Sequence, residues 1–189
     1  MPVQRKAIQK ILKAYANPST LASHEKFVPG LSKAYGVPMP VLNQLARDFK
    51  DGGFELVEEL AGSSYIEEKI LAAKLLGQIA KKDPEKSFSI FKKMAVQIDN
   101  WAVCDTLGMQ SLKPLVRTHA DNIFSLAKEY NLSSSPWLRR LSLVMVEWYT
   151  RDKKQHPSIR KLISNLENDS EYYVQKAIKW INRNIVKGR

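Results

Sequence analysis

A helix-start signal recurs along the second part of the chain at nearly constant spacing. Its four occurrences are residues that favour helix N-caps, two of them reinforced by Glu67 three residues on or by proline next in sequence: Ser64, Asp99, Ser135 and Asp169. They lie 35, 36 and 34 residues apart. Each precedes a long, largely apolar helix and then a second, amphipathic one. This period predicts an α-solenoid of HEAT-like helical repeats, in which each pair buries its apolar side by stacking on its neighbours.

Helical periodicity extends over the whole chain. Apolar residues recur at i, i+3 and i+4, and alternation with period 2 is nearly absent, so we predict an all-α fold in a single domain, 1–189. The predicted helices are 3–16, 22–35, 39–50, 53–61, 65–82, 84–97, 100–112, 114–130, 136–151, 157–166 and 170–187.

The charge is strongly basic and unevenly distributed. Lys and Arg number 30 against 19 Asp and Glu, a net charge of +11. The two ends are basic, at +6 for residues 1–50 and +7 for 101–189, whereas 51–100 carries −2. Because neutralising phosphates releases counterions, nucleic acid is the expected partner of such a surface. The alternative is a soluble basic protein with no such partner.

Several classes of protein are disfavoured by the sequence. No apolar stretch is long enough to span a membrane and the first residues lack a signal core, so we expect a soluble, cytoplasmic, nucleoid-associated protein with no membrane partner. Cys104 is the only cysteine, and the three histidines are far apart in sequence. We therefore expect no disulfide within the chain, no metal site, no thiol nucleophile and no cofactor. A monomer is the default for a groove that must admit a duplex.

The stretch Ile98–Gly108 contains the candidate site. Trp101 and Asp105 lie four residues apart on one helix face, and Gly108, one turn further on, is expected to leave open room. An unpaired buried carboxylate is costly. Asp105 is therefore expected either to pair with a neighbouring Arg or Lys or to face a cavity.

Aligning the repeats places aromatic and charged residues on one surface. The first equivalent positions are Ile66, Trp101, Trp137 and Tyr173, and about one turn further on lie Lys69, Asp105, Arg140 and Lys176. Trp180 follows after another turn. Such a surface predicts a concave, basic, aromatic-lined groove suited to nucleic acid. Trp137, Trp148 and Tyr149 are expected to pack between repeats.

Three segments together resemble successive motifs of the AlkD-like DNA alkylation repair glycosylases. They are Asp-Asn-Trp-Ala-Val-Cys-Asp (99–105), Pro-Trp-Leu-Arg-Arg-Leu-Ser-Leu-Val (136–144) and Tyr-Val-Gln-Lys-Ala-Ile-Lys-Trp-Ile-Asn-Arg (173–183). Their order and separation also match, and the likeness extends from about residue 37 to the end. The resemblance implies HEAT-like repeats that bind double-stranded DNA on the concave face and hydrolyse the N-glycosidic bond of positively charged N3- or N7-alkylated purines, without flipping the base.

The resemblance also implies roles for individual residues. Asp105, Trp101 and Trp180 match the catalytic aspartate and the two active-site tryptophans, and Arg140 matches the arginine that binds the DNA backbone. A cationic purine leaves as a neutral base, so the reaction needs no general acid but does need a carboxylate to stabilise the oxocarbenium-like sugar. We expect further phosphate contacts from Lys176, Arg183 and Lys69. Of Arg139 and Arg140, only the second is expected to face inward, because neighbours on a helix point about 100° apart.

The sequence departs from the family pattern near its N-terminus. After Gly36-Val37-Pro38, members commonly carry an arginine where this chain has Asn43. The first 35 residues also look shortened. This departure affects the DNA contacts expected from the first half of the chain.

Two alternatives remain beside a DNA glycosylase: a non-catalytic relative that binds distorted or branched DNA, and a helical-repeat scaffold for protein partners.

Overall fold

A computed structural model describes residues 3–28 and 33–188, and within these ranges the regular secondary structure is helical apart from one isolated bridge between Lys33 and Tyr65. The helices are α1 (Val3–Ala14), α2 (Pro18–Phe27), α3 (Met39–Asp48), α4 (Gly53–Ala61), α5 (Ile66–Ile79), α6 (Pro84–Ala95), α7 (Trp101–Thr106), α8 (Ala120–Asn131), α9 (Pro136–Val144), α10 (His156–Asn165) and α11 (Tyr172–Lys187). Helix α7 continues as a π-helical turn, Leu107–Ser111. Short 3₁₀ segments are Lys50–Gly52, Ala80–Lys82, Lys113–Leu115, Glu147–Arg151 and Lys153–Gln155. The prediction of an all-α fold is confirmed.

The prediction of a helix over 22–35 was wrong. Helix α2 begins at Pro18, because Asn17 is its N-cap and the Asn17 side chain accepts hydrogen bonds from the backbone N–H groups of Ser19 and Thr20. Asparagine followed by proline is a helix start rather than a break here. The helix ends at Phe27, and residues 33–38 are not helical. Residues 29–32 of the predicted helix lie outside the described part of the chain.

Two longer predicted helices are divided. In 114–130, the first residues form a 3₁₀ segment and a further turn before α8 begins at Ala120. In 136–151, α9 ends at Val144 and a 3₁₀ segment follows from Glu147. Proline at position 114 suits a short 3₁₀ turn because it has no backbone N–H to place in a longer helix.

Helices α5, α7, α9 and α11 pack against one another in chain order, and we call them the inner helices. Behind them, α6 packs on the π-helical turn, α8 on α9, and α10 on both α8 and α9. Helix α5 is enclosed most completely, because α3, α4 and α7 all contact it, and most of its residues are buried. A helix that is apolar on nearly every side belongs inside the protein.

The four helix-start signals lie close to the observed starts of the inner helices. Ser135 is the N-cap residue of α9, with Pro136 first in the helix, as predicted. At the others the N-cap residue is one or two positions later: Tyr65, Asn100 and Glu171. The two aspartates instead connect neighbouring inner helices, because Asp99 pairs with Lys69 at 3.0 Å and Asp169 pairs with Arg139 at 2.5 Å.

Two adjacent glutamates at the start of α5 attach the N-terminal helices to the rest of the protein. Glu67 and Glu68 are fully buried. The Glu67 carboxylate accepts backbone hydrogen bonds from the extended segment at Tyr35, Gly36 and Val37. Glu68 accepts from the side chains of Arg5, Gln9 and Tyr35 at 2.8–3.1 Å. Buried carboxylates need such partners, and the positive end of the α5 dipole also stabilises them.

No helix in the two described ranges is both long and apolar enough to cross a membrane.

A glycine allows two of the inner helices to come into very close contact. A Cβ atom added at Gly77 of α5 would collide with the backbone carbonyl oxygen of Gln110 in the π-helical turn. A carbonyl oxygen within a helix cannot move aside as the end of a flexible side chain can. Glycine at this position therefore sets the distance between α5 and the π-helical turn that follows α7.

We expect Gly77→Ala to lower the free energy of unfolding by about 2 kcal/mol, because overpacking outweighs the better helix propensity of alanine. Gly62→Ala is the matched control, since its Cβ would lie 3.8 Å from the nearest heavy atom. We expect the control to change stability by less than about 0.5 kcal/mol. Urea denaturation of both variants measures the difference, and equal stabilities would contradict the assignment of Gly77 as a contact point.

Candidate active site

A cleft of about 860 Å³ opens along the inner helices, with residues of α2 on its opposite side. We call it the first cleft. Six of the seven residues that the sequence predicted for the site line it: Trp101, Asp105, Arg140, Lys176, Trp180 and Arg183. They come from α7, α9 and α11, so the stacking of inner helices brings together residues up to 82 positions apart in sequence.

Lys69, the seventh predicted residue, is not among those that line the first cleft. Its amino group lies 3.0 Å from the Asp99 carboxylate, and its side chain is mostly buried. Asp99 in turn accepts a hydrogen bond from the side chain of Asn100. In this structure Lys69 connects α5 to the start of α7.

Asp105 is paired in the structure with Arg140. The Arg140 Nε donates to Asp105 Oδ1 at 2.9 Å and Nη2 donates to Oδ2 at 2.8 Å, a two-point ion pair between α7 and α9. The Arg140 side chain is 8% exposed, and that of Asp105 is 25% exposed. The carboxylate is therefore the more accessible partner, and it faces the first cleft.

The same guanidinium also reaches α11. Arg140 Nη1 donates to the backbone carbonyl of Tyr173 at 2.5 Å. Arginine has five N–H donors, and at least three of them are used by Asp105 and Tyr173. Arg140 thus fixes the position of the carboxylate relative to α11.

Burial controls the ionisation of this pair. It raises the pKa of Asp105 above its ordinary value, and the hydrogen bonds and positive charge of Arg140 partly offset that increase. For Arg140, burial acts to lower the pKa, but the hydrogen bonds and charge of Asp105 outweigh it and leave the pKa above its ordinary value. The arginine therefore remains charged, and it favours the ionised carboxylate at neutral pH.

Trp101 links the first cleft to α2. Its indole Nε1 donates to the backbone carbonyl of Phe27 at 2.8 Å, 74 residues away in sequence. Helix α2 has no buried side chain of its own. One hydrogen bond to Trp101 thus helps to hold the carboxyl end of α2 beside the cleft.

Helix α11 supplies cations and aromatic rings on the other side. Trp180, Lys176 and Arg183 lie three to seven residues apart and line the cleft. Lys176 Nζ is 5.1 Å from the ring centroid of Tyr172, and that ring meets Tyr173 edge-on at 5.0 Å. An aromatic partner leaves the charge of Lys176 unneutralised.

Three exposed side chains at the rim were missed by sequence reasoning. Phe27 is 58% exposed, Met39 43% and Tyr172 63%, and all three line the first cleft. Tyr172 directly precedes the third motif and could have been found from it. Phe27 could not be found in this way, because it lies within the predicted helix 22–35, whereas in the structure it is the last residue of α2.

Arg139 and Cys104, the sequence neighbours of Arg140 and Asp105, do not line the first cleft. Arg139 pairs with Asp169 and donates to the carbonyls of Ser133 and Ser134, so only Arg140 faces the cleft. Cys104 is fully buried, its Sγ lies 3.7 Å from the Trp137 carbonyl oxygen, and burial raises its pKa well above the ordinary value. A buried, protonated thiol is a poor nucleophile.

The expectation that Gly108 leaves open room was wrong. Gly108 is buried against α9, and a Cβ there would lie 2.7 Å from Val144 Cγ1. The glycine permits close packing of α9 on the π-helical turn directly after Asp105. Single π-helical turns are frequent at functional sites.

Asn43 contacts a buried cation. Lys74 Nζ donates to the side-chain oxygens of Asn43 at 2.7 Å and of Gln110 at 2.9 Å. Burial lowers the pKa of Lys74. At the position where an arginine was expected, this chain thus has an acceptor for a lysine from α5.

Within the described ranges, no group of three or more His, Cys, Asp and Glu side chains could hold a metal ion.

We expect Trp101→Phe to loosen α2, because it removes the indole hydrogen bond to Phe27 and keeps an aromatic ring. Loss of about 1 kcal/mol should speed amide hydrogen exchange in α2 roughly fivefold. Trp148→Phe is the control, since the Trp148 indole likewise donates to a backbone carbonyl, that of Met109 at 2.8 Å. Unchanged exchange in α2 of Trp101→Phe would contradict this anchoring role.

Comparison with known families gives one clear result. A family model described as DNA alkylation repair enzyme matches residues 8–188. No curated protein matches the chain. The match covers nearly the whole sequence, so the chain belongs to the DNA alkylation repair enzyme family.

Proposed function

We propose that this member of the DNA alkylation repair family is a DNA glycosylase that removes positively charged N3- or N7-alkylated purines from double-stranded DNA. The observation that carries the proposal is an Asp105 carboxylate facing a cleft that is lined by two tryptophans and by cations from α11. We further propose that the helical pairs form HEAT-like repeats whose concave face is the DNA groove. The recurring helix starts and the consecutive packing of the inner helices support this arrangement.

Asp105 is the proposed catalytic group. When the glycosidic bond of an alkylated purine breaks, the base leaves neutral and the sugar gains positive charge. A carboxylate fixed beside the sugar stabilises that charge and orients the attacking water. Two hydrogen bonds from Arg140 hold the carboxylate in place before the reaction, so little reorganisation is needed.

Trp101 and Trp180 are proposed to contact the lesion nucleotide with their ring faces. A cation over an indole ring is stabilised by about 1–2 kcal/mol where water is excluded. This preference requires a charged base, so uncharged lesions should be poor substrates. Lys176 and Arg183, for which no carboxylate partner within 4 Å is found in the described part of the chain, are the proposed phosphate ligands.

Arg140 is proposed to act in two ways. Two of its N–H groups position Asp105 and a third binds the Tyr173 carbonyl, and we propose that its positive charge also attracts a DNA phosphate into the first cleft. That Lys69 contacts DNA stays a prediction, and its ion pair with Asp99 gives it a structural role as well.

The Asp105–Arg140 ion pair also favours a second candidate function, a DNA-binding protein without glycosylase activity. In that case Asp105 serves only to supply a countercharge and hydrogen-bond acceptors to the buried Arg140. The two candidates differ in whether the carboxylate is needed for base release or only for stability.

Matched variants of two Arg–Asp pairs distinguish the glycosylase from the non-catalytic DNA-binding protein. Arg139 and Asp169 form a second Arg–Asp pair between α9 and the start of α11, and neither residue lines the first cleft. We expect Asp105→Asn to reduce release of 7-methylguanine or 3-methyladenine from methylated duplex DNA at least about a hundredfold. Binding to the same DNA should change by less than about fivefold.

Asp169→Asn also breaks an Arg–Asp pair, so it should lower the melting temperature about as much as Asp105→Asn does. Base release, however, should change by less than about twofold. Chromatography of released bases and fluorescence anisotropy give the two readouts. If wild-type protein binds DNA with strong salt dependence but releases no base, the non-catalytic candidate is correct. Equal loss of release in both variants would instead indicate that each ion pair matters only for folding.

The rate of base release should also depend on pH. The ionised form of Asp105 is the active one, and burial raises the pKa of this carboxyl. As pH falls, the enzymatic rate should therefore decline at a higher pH than an ordinary aspartate, with a pKa of about 3.9, would produce. Single-turnover release between about pH 4 and 8, corrected for spontaneous depurination, measures this. A rate independent of pH down to 4 would exclude Asp105 as the titrating group.

A further inference from the structure

A second cleft, of about 870 Å³, is lined by residues that follow the carboxyl ends of α5, the π-helical turn and α9. Four cations line it: Lys81, Lys113, Arg117 and Arg151. Among its described lining residues the only carboxylate is Asp152. A cavity of this size with so unbalanced a charge attracts an anion that extends over several contacts.

The second cleft lies along the same helix faces as the first. On α5 and the turn after it, Ile66 and Ile70 line the first cleft, Lys74 and Gly77 line a shallow depression between the two, and Lys81 lines the second. These spacings of three or four residues follow one face of a helix.

Two other rows of residues follow the same course. From α7 onward, Asp105 lines the first cleft, Met109 the depression, and Lys113 both the depression and the second cleft. From α9 onward, Arg140 lines the first cleft, and Trp148 lines the depression and the second cleft. One surface therefore connects the two clefts, over roughly 15 Å at about 1.5 Å per residue.

An indole ring, rather than a carboxylate, organises two of the four cations. Lys113 Nζ lies 4.4 Å and Arg151 Cζ 4.7 Å from the ring centroid of Trp148. The ring itself is fixed by its hydrogen bond to the Met109 carbonyl. A cation held over an aromatic ring keeps its full charge for a ligand.

The cations are also largely unpaired. In the described part of the chain, no carboxylate lies within 4 Å of the amino or guanidinium groups of Lys81, Lys113 or Arg117. Arg151 has one partner, the buried Glu147 at 3.3 Å. By contrast, Lys69, Arg139 and Arg140 are all paired with aspartates.

The positions of three of these cations follow the sequence repeat. Lys81, Arg117 and Arg151 are 36 and 34 residues apart, the same period as the helix starts. Three successive repeat units therefore each contribute a cation at an equivalent position of the second cleft, and Lys113 adds a fourth. A regularly charged ligand fits such a row better than a compact anion does.

We propose that the second cleft binds the sugar-phosphate backbone of the DNA that flanks the nucleotide in the first cleft. The distance between the clefts is comparable with the roughly 12 Å width of the major groove of B-DNA. Two backbone segments of one duplex can thus lie against the two clefts at once. The proposal rests on DNA being the substrate, as in the proposed function, but not on hydrolysis of the glycosidic bond.

The test compares two variants that remove the same charge. Lys113→Gln/Arg117→Gln changes the second cleft, and Lys128→Gln/Lys161→Gln removes two exposed cations from α8 and α10. All four side chains are exposed, so both variants should fold. Binding of an undamaged duplex is measured by fluorescence anisotropy over a range of salt concentrations. Circular dichroism checks that both variants are folded.

We expect the second-cleft variant to bind about tenfold or more weakly near 0.1 M salt. The slope of log K against log salt should fall by about two, since each lost phosphate contact removes about 0.9. The control variant should keep the wild-type slope. The proposal is overturned if the two variants have the same slope.

A cross-linking experiment locates the contact independently. Cys104 is buried, so a cysteine introduced as Arg117→Cys would be the reactive thiol, with Lys128→Cys as control. Disulfide formation with a duplex carrying a thiol tether on its backbone should occur at position 117 and not at 128. Absence of cross-linking at 117 counts against the proposal.

The catalytic readout keeps this test separate from that of the proposed function. The control variant, Lys128→Gln/Lys161→Gln, should release alkylated bases at the wild-type rate, whereas the second-cleft variant should need more DNA to reach its maximal rate. If wild-type protein releases no base, the proposed function fails, but the salt slopes and the cross-links still decide whether the second cleft binds DNA.

Discussion

The ion pair between Asp105 and Arg140 connects three inner helices at one point. Asp105 belongs to α7, Arg140 to α9, and the third contact of the arginine is the Tyr173 carbonyl on α11. Removing two charges from water is unfavourable, and only good geometry with further hydrogen bonds compensates for it. This three-way arrangement supplies both. The relative positions of α7, α9 and α11, and with them the shape of the first cleft, depend on it.

The opposite side of the cleft depends on a different set of polar contacts. Glu67 and Glu68 hold α1 and the extended segment at Tyr35 against α5, and Trp101 holds the end of α2. Helix α2 contributes no buried side chain, so apolar packing does little to fix it. The N-terminal side of the cleft should therefore be less rigid than the side formed by α9 and α11.

Much of the architecture could be predicted from the sequence because the local sequence patterns favour the same helices that the chain forms. Helical periodicity runs through most of the chain and residues that favour helix N-caps lie within two positions of the starts of the inner helices, so the helical class and most element positions followed from short-range pattern. The errors arose where long-range contacts decide the structure. The segment after α2 is extended because a glutamate 30 residues later binds its backbone. Sequence periodicity cannot reveal such a partner.

In the candidate site, too, the positions of the residues could be predicted from the sequence but their contact partners could not. Trp101, Asp105, Arg140 and Trp180 were found from their positions in the repeat, and they line one cleft. The ion pair between two of them was only one of two alternatives, because spacing alone does not tell whether a carboxylate faces a cation or a cavity. Asp105 does both. Lys69 pairs with Asp99 instead of lining the first cleft, and a sequence register cannot reveal this, because the partner of each cation depends on small rotations of a helix.

A paired aspartate is compatible with the proposed catalytic role. A carboxylate has about four lone-pair sites, and Arg140 occupies two of them. The Asp105 side chain remains partly exposed to the cleft, so the other sites are open to a sugar and a water molecule. Pairing lowers the net negative charge, but it also fixes the carboxylate in direction and keeps it ionised despite burial. In a low-dielectric site, a fixed dipole of this kind stabilises a developing cation without reorganising as the bond breaks. The structural and catalytic interpretations of Asp105 therefore describe two consequences of one interaction.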